Sequence, residues 1–162
     1  MKMKIRDMVI LLVAVAVLLA LDLVLKIWAA NNLNFFDTRE LIPGFLGLTY
    51  LRNTGAAFGF LAGVDWGRWV LTGVKILLMA GLLWYYWRLP VDKKFWLLRV
   101  PIILIVAGGI GNLWDRITLG YVRDMLVFLF INFPVFNLAD VFVVVGCFSA
   151  AFVMLFLLKD QW

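Results

Sequence analysis

Four long apolar runs dominate this chain: Met8 to Ala30, Trp69 to Trp87, Phe95 to Trp114 and Val141 to Leu158. Each approaches the roughly 20 residues a helix needs to cross a ~30 Å hydrocarbon core. A segment in lipid must satisfy its backbone hydrogen bonds internally, so runs of this length restrict the chain to transmembrane helices. Composition agrees, with 65% hydrophobic and 16% aromatic residues. We therefore expect an all-α integral membrane protein, one domain over 1–162, with four transmembrane helices at about 8–30, 69–87, 95–114 and 141–158.

Orientation follows from Lys and Arg, which accumulate at cytoplasmic ends. Lys2, Lys4 and Arg6 precede the first run, and Arg88, Lys93, Lys94 and Arg99 surround the second connection. The longer connections carry only Arg39, Arg52, Arg68, Arg116 and Arg123. Both termini are expected in the cytoplasm, with segments 31–66 and 115–140 outside. The N-terminus imitates a secretory signal, but its apolar run continues to Asp22 and Lys26, so it is expected to remain as a helix. The net charge of +5 fits this topology and contact with anionic membrane lipids, and nothing points to nucleic acid. Leu46–Asn53, with β-branched and aromatic residues between Gly and Pro bounds, predicts a short strand in a small extramembrane sheet.

Absences narrow the chemistry. The chain has no histidine, one cysteine (Cys147) and one serine (Ser149), the last two in the fourth apolar run. A Ser/His/Asp or Cys/His nucleophile cannot be assembled from these parts. Nor can a zinc site built on His or Cys, or an internal disulfide. Hydrolysis here would fall to carboxylates, with no metal and no cofactor.

Ionisable residues at membrane depth cost about 2.5 to 3.5 kcal/mol each on insertion scales, so a cluster of them marks a functional site. The topology puts Asn112, Asp115, Arg116, Asp124, Asn137 and Asp140 at the outer boundary, with Asn53 closing the first outer segment. Asp22 lies about 12 Å below the outer end of the first run, one turn from Lys26. Two neighbouring aspartates in a dry setting cannot both ionise cheaply, and such a pair can activate a water and protonate a leaving amine. Plainer readings stand beside this one. Asn137-Leu138-Ala139-Asp140 has the form of a capping box, Asp22 and Lys26 of a self-neutralising i,i+4 pair, and Asp115-Arg116 of a helix-end salt bridge. Gly108, Gly109 and Gly111 read as close helix packing, Lys75 as snorkelling or paired in the bundle, and the Trp residues at 66, 69, 84, 87, 96 and 114 as interface belts.

Four motifs occur in order: Asp22 to Trp28, Asn53-Thr54-Gly55-Ala56-Ala57-Phe58, Gly108 to Arg116, and Phe136-Asn137-Leu138-Ala139-Asp140. Together they resemble those of the bacterial lipoprotein signal peptidases, the type II signal peptidase family, over nearly the whole chain. The resemblance implies that Asp124 and Asp140 are a catalytic dyad, lined and oriented by Asp22, Lys26, Asn53, Asn112, Arg116 and Asn137, with Gly108 and Asp115 in support. It implies four helices with a small periplasmic β-cradle and a short periplasmic helix, in the bacterial inner membrane, with the active site at the outer face. The implied substrates are prolipoproteins, cut just before a diacylglyceryl-modified cysteine. Globomycin-type antibiotics would inhibit, and the chain would act as a monomer. Two positions depart from the family pattern: Arg123 precedes the first aspartate and Val127 takes a later acidic place. Arg123 either turns toward Asp124 and favours its ionised form or faces lipid headgroups.

Two other classes are open on the residues alone. A proton- or ion-coupled transporter would use intramembrane carboxylates, but such folds show repeated halves and midplane sites, and neither is visible here. A lipid-binding scaffold would explain the helices and belts but leave Asp124 and Asp140 without a purpose.

Overall fold

The computed structural model describes residues 5–55, 67–90 and 92–159. Helices α1 (Ile5–Asn32), α2 (Gly67–Arg88), α3 (Trp96–Leu119) and α4 (Leu138–Phe152) carry a sheet of β1 (Arg39–Ile42), β2 (Leu46–Asn53) and β3 (Val122–Phe128). A π-helical turn, Val153–Leu157, prolongs α4. Among the described residues, α1, α3 and the prolonged α4 are long and apolar enough to cross a membrane. The fourth crossing expected from the sequence would fall on α2, which has 22 residues and carries Lys75.

Burial is inverted relative to a water-soluble bundle. α1 buries Asp7, Asp22 and Lys26 on one stripe while Leu12 (61% exposed) and Val17 (54%) point outward. Buried charge under an exposed apolar surface marks a chain whose solvent is lipid. Trp69, Trp84, Trp87 and Trp114 also lie on exposed faces, whereas Trp96 is half-buried; Trp66 lies outside the described residues. α3 sits at the centre, against α1, α2 and α4. Its first half supplies core residues Leu98, Ile102, Ile103 and Val106, packed with Leu11 of α1 and Tyr86 of α2. Its second half buries Asn112 and Asp115 instead. The bundle is therefore apolar through its middle and polar at this end.

Two glycines set the distance between helices. A Cβ at Gly108 would strike the Ala139 carbonyl oxygen of α4, and one at Gly111 would come within 2.5 Å of Asp22 Oδ2. Close packing accounts for both. Gly109 faces Met79 of α2.

α3 ends on Gly120, whose φ of 81° places it in the left-handed region and whose N–H bonds the Arg116 carbonyl. Glycine takes that conformation without a Cβ penalty, so the chain reverses within two residues into β3. β3 runs antiparallel to β2, with Leu51 opposite Asp124 and Asn53 opposite Val122. The chain then returns, and Phe136 pairs with Leu126 through N–H to O bonds of 2.8 and 2.9 Å. That bridge lays the start of α4 beside β3.

The predicted strand is β2, and it forms the middle of a three-stranded sheet in the order β1-β2-β3. Two helix limits differ from expectation. α4 begins at Leu138, because Asn137 caps it, so Asp140 belongs to its first turn. α3 runs beyond Trp114 to Leu119, so Asp115 and Arg116 stand on a helix. The short extramembrane helix implied by the resemblance has no counterpart among described residues 33–55. Positions 56–66, with Ala56, Ala57 and Phe58 of the second motif, lie outside the described residues.

At the far end of the bundle, the fully buried Arg99 ties α1, α2 and α3 together. Its guanidinium donates to Asp7 Oδ2 at 3.4 Å and to the Leu89 carbonyl at 3.2 Å, and the Tyr86 hydroxyl donates to the Asp7 carbonyl at 3.2 Å. Breaking a buried pair costs about 3–5 kcal/mol because the surviving charge keeps its desolvation penalty. Arg6, largely exposed, also contacts Asp7 at 3.3 Å, so the lower value is expected for Arg99→Leu. Thermal unfolding in detergent should show the loss, and Asp7→Asn in the same protein should restore part of it. An unchanged midpoint for Arg99→Leu would assign the cluster no stabilising role.

Candidate active site

The polar end of the bundle is organised by two asparagines. Asn137, capping α4, donates from Nδ2 to Asp124 Oδ1 at 2.6 Å and to Asn112 Oδ1 at 3.0 Å. Asn112, on α3, donates from Nδ2 to Asp140 Oδ1 at 2.8 Å. A continuous path therefore joins the two aspartates: Asp124, Asn137, Asn112, Asp140. Asn53, at the end of β2, donates to the second oxygen of Asp124 at 2.9 Å, and its own Oδ1 accepts the Gly55 N–H at 3.1 Å.

The capping box is present in full. Asp140 N–H donates to Asn137 Oδ1 at 2.9 Å, and Asn137 N–H donates to Asp140 Oδ2 at 3.2 Å. Capping and site-building are therefore one arrangement, because each capping residue has amide or carboxylate capacity left over for the network.

Behind this layer sits a second one. Lys26 Nζ lies 2.8 Å from Asp22 Oδ2, the expected i,i+4 pair, and also donates to Asn112 Oδ1 at 3.0 Å and the Gly111 carbonyl at 3.3 Å. It thereby fixes the amide orientation of Asn112, whose N–H2 is left to face Asp140. Asp22 accepts the Ala139 N–H at 3.0 Å and so anchors the start of α4 rather than touching either aspartate of the path.

Asp115 and Arg116 do not form the helix-end salt bridge. Arg116 turns to the Gly55 carbonyl at 3.2 Å, joining α3 to the segment after β2. Asp115 takes Arg123 instead, through Nε at 3.1 Å, Nη2 at 2.6 Å and the backbone N–H at 3.0 Å. Both expectations for Arg123 are therefore corrected. On a strand, successive side chains point to opposite faces, so the residue next to Asp124 is directed away from it, onto α3. Replacing Arg123 by Val should leave both limbs of the pH–rate profile in place and lower stability, because Asp115 loses a bidentate partner while buried. An upward shift of the acidic limb would restore the direct coupling to Asp124.

Asp124 is 1% exposed. Removal of water raises its carboxyl to about 6, and the charge of Asp140 pushes the same way, against the opposing amide donors of Asn53 and Asn137. A carboxyl that titrates near 6 beside a second carboxyl suits proton exchange with a water or an amine. Lys75 on α2, half-buried, lies within electrostatic reach of Asp124 and Asp140. Its spacing alone points to snorkelling or to pairing in the bundle, since α2 has no motif to align it with the aspartates.

The family model for Signal peptidase (SPase) II matches residues 14–156. The lipoprotein signal peptidase of Streptococcus agalactiae serotype V is 37% identical over 85% of this chain and 86% of that protein. Those of Lactococcus lactis subsp. lactis and Enterococcus faecalis are each 38% identical, over 90% of both chains and over 96% and 92% respectively. A solved bacterial membrane enzyme superposes with a TM-score of 0.78 at 28% identity, covering 99% of this chain and 92% of its own.

Proposed function

The chain belongs to the signal peptidase II family, and from that premise we propose that it cleaves signal peptides from prolipoproteins with Asp124 and Asp140 as its catalytic pair. It is a multi-pass protein of the bacterial inner membrane and a protease. The observation that carries the two-aspartate reading is the amide path: Asn137 and Asn112 orient one oxygen of each carboxyl, and both carboxyls share one end of the bundle. The transporter and scaffold readings are not favoured beside a family of peptidases.

In this mechanism one carboxylate takes the proton of a water as it attacks the scissile carbonyl. The other, protonated, hydrogen-bonds the carbonyl oxygen and then delivers its proton to the departing amine. Asn53 and Asn137 hold Asp124, and Asn112 holds Asp140. Lys26, Asp22, Asp115 and Gly108 keep those holders and their helices in place, and Arg116 secures the segment beside the site. No step uses a metal, in keeping with a chain that lacks histidine. We place α2 as a fourth crossing, since 22 residues span about 33 Å at 1.5 Å per residue. The termini then lie in the cytoplasm and the site at the outer face, reached by lipidated substrates from the membrane and blocked by globomycin-type inhibitors. The chain acts as a monomer.

The test is cleavage of a diacylglyceryl-modified peptide by the purified protein in bilayers, with product cut immediately before the modified cysteine and the rate unchanged after dialysis against a chelator. No cleavage, or a loss that added metal restores, would overturn the reading. A pH dependence follows from Asp124. Its carboxyl, raised to about 6, binds its proton more tightly in the fold, so the singly protonated pair builds up below that pH and drains above it. The alkaline limb of kcat/KM should have its midpoint there, and that of kcat should lie higher once bound peptide removes more water. A profile flat through that pH would refute the assignment.

A further inference from the structure

Beside β3, the outer end of α1, the sheet and the first turn of α4 enclose a groove of about 460 Å³, within the size range of small-molecule sites. Val24, Leu25 and Trp28 of α1 form its outer wall, Leu48 and Leu126 lie on the sheet side, and Met125 and Leu138 lie at its inner end. Met125 follows Asp124 on β3, and Leu138 follows Asn137 into α4, so the inner end lies one residue from both elements that hold the amide path. The outer wall is open: Val24 is 63% exposed on the face of α1 that meets lipid.

We propose that this groove seats one acyl chain of the substrate's diacylglyceryl group, an inference that rests on the reading of the chain as a prolipoprotein peptidase. The chemistry of the lining selects the occupant. All the named side chains are apolar and offer an extended peptide no partners for its backbone N–H and C=O groups, whereas an acyl chain needs none. The offset from Asp124 also matches the chemistry of the lipid. Its chains begin only after the cysteine sulfur, the glycerol and an ester, so they belong about a strand spacing, ~4.8 Å, or more from the reacting carbonyl.

The groove solves a problem posed by the polar site. A lipid chain must follow its cysteine to the boundary where the aspartates lie, and each methylene drawn into water is unfavourable. An apolar channel that begins on the lipid face of α1 and ends beside β3 keeps the chain dry along that path.

The experiment compares dipalmitoyl and dihexanoyl forms of one lipidated peptide in the same bilayers, with wild-type protein and with Val24→Trp and Leu25→Trp, which project an indole into the groove from its exposed wall. The ratio of kcat/KM for the long-chain over the short-chain peptide should fall about tenfold in the variants, the equivalent of roughly two methylenes denied burial. Comparing each variant with wild type cancels membrane partitioning. An unchanged ratio in both variants would overturn the proposal. A second measurement does not depend on the tryptophan variants: a photoreactive group at the end of one acyl chain of the peptide, held uncleaved by folded Asp140→Asn protein, should label Val24, Leu25, Trp28 and Leu126. Labelling confined to the α2 side, at Trp69 or Ile117, or spread evenly over the lipid-facing helices, would overturn it. Wild-type cleavage of both peptides reads out the peptidase reading separately.

Discussion

Asp124→Asn and Asp140→Asn should each reduce cleavage of a lipidated peptide by about 10³-fold or more, the scale of a lost proton-transfer partner, while the lipidated peptide still binds. Both proposed roles require a carboxyl that can take and release a proton, and an amide does neither. The geometry adds a structural cost that must be separated from the chemical one. The two oxygens of Asp124 accept from Asn53 and Asn137 at 2.9 and 2.6 Å, so an asparagine at 124 sets its own N–H2 against one of those donors. Flipping Asn53 to relieve this would forfeit its bond from Gly55. A lower unfolding temperature is therefore expected for Asp124→Asn, on the order of one lost hydrogen bond, about 1 kcal/mol. At Asp140, Oδ1 accepts from Asn112 and Oδ2 from the Asn137 N–H, so the same logic holds with α4 capping weakened. Binding of uncleaved peptide and recovery from membranes show whether each variant is folded. Cleavage within tenfold of wild type by either folded variant would remove that aspartate from the mechanism.

The spanning helices, the strand at Leu46–Asn53 and the capping box at Asn137 were legible because each rests on local spacing: apolar run length, β-branched content between turn residues, and an Asn three residues before an Asp. What the sequence did not disclose depends on where the chain turns. Arg123 meets Asp115 because Gly120, in its left-handed conformation, folds β3 back on α3. Adjacency to Asp124 had suggested a different partner, and the alternation of the strand reversed it. β3 itself was hidden in the 115–140 segment, since Val122, Asp124 and Met125 are all buried while Arg123 is partly so, a pattern without clean alternation. The pair Asp7 and Arg99 lies 92 residues apart in sequence, and Arg99 had served only as a marker of orientation. The second layer was readable in part: Lys26 pairs with Asp22 as its spacing suggests, but its hold on Asn112 could come only from the packing of α1 on α3.

The remaining large effect should come from a single methyl group. At Gly108 a Cβ would collide with the Ala139 carbonyl oxygen and lie 2.9 Å from Val143 Cγ2 and 3.2 Å from the Ala139 carbonyl carbon. Two of these atoms are α4 backbone, which cannot swing aside as a side chain tip can. The Ala139 N–H is bound to Asp22 at 3.0 Å, and Asn137 and Asp140 lie on either side, so α4 cannot yield without moving the groups that meet Asn112 and Asp124. Gly108→Ala should therefore separate α3 from α4 and lower stability by about 1–3 kcal/mol, the range for overpacking. A shift of about 1 Å at Asp140 would reduce cleavage about 10²-fold. Gly109 supplies the control on the same helix. A Cβ there meets only the Met79 side chain, at 2.5 Å from its sulfur, and a flexible thioether can move away. Gly109→Ala should keep most of the activity, which separates a requirement for small residues along α3 in general from a requirement at the contact beneath Asp140. Equal activity of the two variants would mean that α4 tolerates displacement and that Gly108 does not set the position of the aspartate.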